Sequence, residues 1–103
     1  MNANLYESYK PIVTFFMLGE DIYFKYNNNI GIVNNENIDN LKENLVSPYK
    51  VSFTNVSVDK MAKVLDYLKT EEDDLFWYRV KNPQTNIISY HAIFTESQKV
   101  KTL

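Results

Sequence analysis

The sequence predicts an α+β domain of two layers, a mainly antiparallel sheet with two helices, in the order β-β-β-α-β-α-β-β. Paired runs of β-branched and aromatic residues flank short turns, first around Gly19-Glu20 and again around Pro83-Gln84-Thr85. One strongly amphipathic segment begins at Val58. The chain has 103 residues, 45% of them hydrophobic and 15% aromatic, which is enough material for one core and too little for two. Residues 1–103 are therefore read as one domain, with 1–10 and 97–103 as terminal segments.

The first hairpin joins Ile12–Leu18 to Ile22–Tyr26. Gly19 at the first turn position suits a two-residue type II′ connection. Pairing Leu18 with Asp21 sets Met17 opposite Ile22, Phe15 opposite Phe24 and Val13 opposite Tyr26 on a core face. The opposite face, with Ile12, Leu18 and the Phe16/Tyr23 pair, is half apolar and needs a helix or a partner to cover it.

After the Asn27-Asn28-Asn29 turn, Ile30–Val33 returns as a third strand. Asn34 or Asn35 caps a helix over Glu36–Leu45, with Ile38, Leu41 and Leu45 on one stripe. Ser47-Pro48 stops it, and Tyr49–Thr54 alternates as the fourth strand. Ser57 caps the clearest helix, Val58 to about Thr70, in which Val58, Met61, Ala62, Leu65 and Leu68 recur at helical spacing. A second hairpin pairs Leu75–Asn82 with Asn86–Thr95. An odd-length loop sets Tyr78 opposite Tyr90 and Val80 opposite Ile88, gathering Phe76, Tyr78, Val80, Ile88, Tyr90, Ala92 and Phe94 on a core face.

Composition excludes several functional classes. The absence of Cys removes disulfide scaffolds, thiolate metal sites and cysteine nucleophiles. A single histidine, His91, cannot build a histidine metal cluster, and with only Gly19 and Gly31 there is neither a P-loop nor a GxGxxG cradle. No cofactor is expected. The N-terminal residues carry no signal-peptide pattern and the longest apolar run, Ile12–Leu18, is too short to span a membrane, so a cytoplasmic protein is expected. A net charge of −2 argues against a general polyanion binder. Heavy asparagine use is compatible with the AT-rich genome of a low-GC bacterium or phage.

The remaining candidates are surface groups. On the predicted outer face of the second hairpin, Trp77 stands opposite His91 and Arg79 opposite Ser89, an aromatic and basic cluster of the kind that anchors protein interfaces or stacks on bases. The plain alternative is a Trp packed under the C-terminal tail. Glu71, Glu72, Asp73 and Asp74 form an acidic knot, either a solvated helix end or a docking site for a basic partner; they lack the spacing of a calcium loop. A general base made from His91 with Ser89 or Tyr78 has no oxyanion hole beside it, so the chain is not expected to be an enzyme. The Tyr-rich segment Leu5–Lys10 suits an interface or a strap across the first hairpin.

The sequence thus points to a small intracellular protein-binding module, of the inhibitor, immunity or anti-defence type, that occludes a partner through Trp77, Arg79, His91, Phe16 and Tyr23. A single-stranded nucleic-acid binder using the Trp77 face is the alternative. Homodimerisation through the Phe16 face is a separate expectation.

Overall fold

The computed structural model describes residues 10–46, 48–69 and 73–96. Its elements are β1 (Val13–Leu18), β2 (Asp21–Tyr26), β3 (Asn29–Ile32), α1 (Asn35–Asn44), β4 (Tyr49–Thr54), α2 (Val58–Leu68), β5 (Asp73–Lys81) and β6 (Ile88–Glu96). The strands form one six-stranded sheet in the order β3-β2-β1-β4-β6-β5. Every neighbouring pair is antiparallel except β1 with β4. The predicted α+β class and element order hold. Residues 1–9 of the predicted terminal segment 1–10, the terminal segment 97–103, the helix stop at Ser47, the expected helix end at Thr70, and Glu71 and Glu72 lie outside the described residues.

Both helices pack on one face. Ile38 and Leu41 of α1 and Met61, Val64, Leu65 and Leu68 of α2 join Val13, Phe15, Phe24, Tyr49, Val51, Phe53, Ala92 and Phe94 in a single cluster. Its centre is aromatic: Phe15 stacks on Phe53 with ring centroids 4.9 Å apart, and Tyr49 on Phe94 at 4.8 Å. The stripe of α2 departs from the expected one: Val58 and Ala62 are exposed, and Val64 is buried with Met61, Leu65 and Leu68.

Local chemistry explains the turns and caps. Gly19 has φ +64°, as a two-residue turn requires, and Leu18 pairs with Asp21 in the register expected. Asn27 and Asn28 take φ +49° and +66°, so Tyr26 returns directly to Asn29. Asparagine tolerates this left-handed region better than other residues with a Cβ. Asn34 caps α1, its Oδ1 accepting the Asn37 amide at 2.8 Å, and Ser57 caps α2 by accepting from Lys60. Gly31 sits opposite Phe24, where a Cβ would lie 2.9 Å from the ring. The missing side chain lets that ring cover the edge of the sheet.

The second hairpin corrects the expected register by one residue. Tyr78 opposes His91, not Tyr90; Arg79 opposes Tyr90; Val80 opposes Ser89; Lys81 opposes Ile88. Asn86 is the cause. At φ +60° it serves as a fourth loop residue, and its amide donates to the Asn82 carbonyl at 2.8 Å. The Asn82 side chain holds the loop from within, accepting from the amides of Gln84 and Thr85.

Candidate interaction surface on the second hairpin

The slip moves every side chain of β5 to the other face, because side chains alternate along a strand. Leu75, Trp77, Arg79 and Lys81 share the helix-bearing side with Phe94, Ala92, Tyr90 and Ile88. Phe76, Tyr78 and Val80 lie on the far side with Ile93, His91 and Ser89. Trp77 therefore opposes Ala92, not His91, and Arg79 opposes Tyr90, not Ser89. The sequence-predicted contact residues divide across the sheet: Trp77 and Arg79 on one face, His91, Phe16 and Tyr23 on the other.

On the helix side the sheet extends past its helical cover. Leu75 packs against the core, but Trp77 is 48% exposed, its ring 5.8 Å from that of Tyr90 and tilted by 56°. Arg79, Lys81 and Ile88 are exposed beside it. This is a partly anchored indole followed along the same face of the strand by a guanidinium and then an ammonium group.

The far face carries a polar row across neighbouring strands. Lys25, Thr14, Ser52, His91 and Tyr78 stand in register from β2 to β5. The Ser52 hydroxyl donates to Thr14 Oγ1 at 3.2 Å, and the His91 and Tyr78 rings lie 5.4 Å apart. Lys50, only 3% exposed, holds its Nζ 5.1 Å from the centre of the Tyr78 ring. His91 Nδ1 is buried and makes no hydrogen bond. Burial first, and the Lys50 charge second, hold the imidazole below its ordinary pKa near 6.5. Beyond His91 towards the loop, an open cavity of about 460 Å³ is lined by Val80, Pro83, Ile87 and Ser89.

No family model matches this chain, and no match is found among the curated proteins or the solved structures. No serine donates to His91 among the described residues, and the Ser52 hydroxyl is engaged with Thr14, so the hydrogen bond that activates a serine nucleophile is not formed. Among the described residues no group of three or more His, Asp or Glu is placed to hold a metal ion, and no helix is long and apolar enough to cross a membrane.

Phe16 and Tyr23 are brought together as the sequence implied, with centroids 6.2 Å apart on the far face, both helices lying on the opposite side. Of the acidic knot, Asp74 is exposed within β5, and Asp73 opens that strand rather than closing the preceding helix. Sequence reasoning missed Lys50 and the row around His91. The signal was present in the alternation of Tyr49–Thr54, which sends Lys50 and Ser52 to the face away from Val51 and Phe53.

Proposed function

We propose that this chain is a small cytoplasmic, non-catalytic protein-binding module that occludes a partner's surface with its second hairpin, in the manner of an inhibitor, immunity or anti-defence protein. The observation that supports this reading most is the half-exposed Trp77 on the helix-bearing face of that hairpin, with exposed Arg79 next along the strand and exposed Ile88 on the same face. Trp and Arg side by side are the residue types that most often dominate binding energy at protein interfaces. A partner closing over Trp77 and Arg79 gains the indole's remaining area and a stacked or paired guanidinium.

The test is capture from a lysate of the source cells, with and without nuclease, using the wild-type chain and Trp77→Ala. The expected outcome is a stoichiometric partner that survives nuclease and falls at least tenfold with Trp77→Ala. Recovery unchanged in the variant would sink the assignment to this hairpin.

The adjacency of Arg79 and Lys81 to the Trp77–Tyr90 pair favours a second reading, a stacking face for single-stranded nucleic acid. It predicts quenching of Trp77 fluorescence by an oligonucleotide, with affinity falling steeply as salt is added.

A further inference from the structure

The two edges of the sheet are unequal. β3 is four residues long and contains Gly31, whereas β5 runs for nine residues, Asp73–Lys81, without Pro or Gly. Edge strands of this length normally carry protection against pairing with another chain, such as proline, a bulge or scattered lysines. β5 keeps an unbroken register with β6 from end to end, and its only cations are Arg79 and Lys81 near the end.

Hydrogen-bond phase shows which groups this edge offers. The Asn82 amide donates to the Ile87 carbonyl at 2.9 Å, so Asn82 faces inward, towards β6. In an antiparallel ladder the backbone groups of successive residues point alternately to one neighbour and to the other. The amides and carbonyls of Leu75, Trp77, Arg79 and Lys81 therefore point away from β6, towards the edge. Among the described residues no strand lies beyond β5.

The charge of this strand runs from acidic to basic. Asp73 and Asp74 open it, Arg79 and Lys81 close it, and Leu75, Phe76, Trp77 and Tyr78 lie between. Such a sequence is complementary to itself when reversed. We propose that the β5 edge is a homodimerisation surface, on which a second copy of this chain adds its own β5 antiparallel about a two-fold axis at Trp77.

Full nine-residue overlap sets Trp77 opposite Trp77, Leu75 opposite Arg79 and Asp73 opposite Lys81, all outward-bonding positions, with Phe76 opposite Tyr78 between them. The acidic start of each strand meets the basic end of the other. The interface is isologous and closes, which caps both long edges and doubles the sheet. The proposal goes beyond the protein-binding reading and stands without it, because it is read from molecular mass in purified protein rather than from capture.

Sedimentation equilibrium of the full chain over a wide concentration range tests it, with circular dichroism on every variant to confirm folding. The wild type is expected to sediment at twice the 12.1-kDa chain mass. Lys81→Glu opposes two like charges at both ends of the ladder and should raise the dimer dissociation constant roughly tenfold. Adding Asp73→Lys to it should restore wild-type dimerisation. Arg79→Pro removes an outward amide while leaving pairing with β6 intact, and should give monomer; if this variant does not fold, the charge swap decides. A wild type that is monomeric throughout would overturn the proposal. So would a dimer indifferent to Lys81→Glu, or one lost only with Phe16→Asp, which would move the interface to the first hairpin.

Discussion

His91 shows how a single side chain can make stability depend on pH. With Nδ1 buried and unbonded and Lys50 nearby, the folded protein holds the proton less tightly than the unfolded chain does. As pH falls below about 6.5, the unfolded state protonates first and gains relative stability. The contribution of neutral His91 is thus intact above that pH and is lost as pH falls through the depressed folded value. Between pH 7.5 and 5.5 the wild-type melting temperature should drop more than that of His91→Gln; equal slopes would remove His91 as the cause. The sequence marked His91 as the only histidine but could not place it, because its neighbours Lys50, Ser52 and Tyr78 come from other strands.

At the scale of the element, the two hairpins show when register is legible. In the first, Gly19 fixes a two-residue turn and the sequence leaves one solution. In the second, Asn86 reads equally well as a strand residue or as a left-handed loop residue, and the choice slips β5 by one position. Alternation pointed to the other register, because Phe76, Tyr78 and Val80 make the more apolar face of β5, whereas the structure turns Leu75 and Trp77 towards the helices. Asn86→Ala should cost about 1 kcal/mol for placing an ordinary Cβ at positive φ, while Asn86→Gly should be neutral or slightly stabilising. Urea unfolding of both variants checks this, and equal losses would mean that the Asn86 side chain matters rather than its backbone. The helix caps were legible because Asn34 and Ser57 act locally, on amides three residues ahead.

For the whole molecule, the β1–β4 junction is the point on which both halves of the sheet converge. Phe53 is fully buried, stacked on Phe15 and opposite Tyr90 in β6. Phe53→Ala should cost about 3–5 kcal/mol, a large part of the roughly 5–15 kcal/mol that holds a domain of this kind together. At about 4 °C or more per kcal/mol, the melting temperature should fall by at least about 12 °C. A loss below about 1 kcal/mol would show that the two halves do not share one core.

By itself the sequence determined the element order, the first hairpin, the Ser57 cap and the α+β class, and narrowed the other cap to Asn34 or Asn35, because each rests on contacts between near neighbours or on a period along one segment. Tertiary structure alone decided the strand order, the parallel pairing of β1 with β4 and the face to which Trp77, Arg79 and His91 belong. These depend on which distant segments meet and on a one-residue choice in a loop. The physical reason is the same throughout: local propensity acts through adjacent backbone groups, whereas a face of the sheet is assembled from strands that the chain brings together only when it folds.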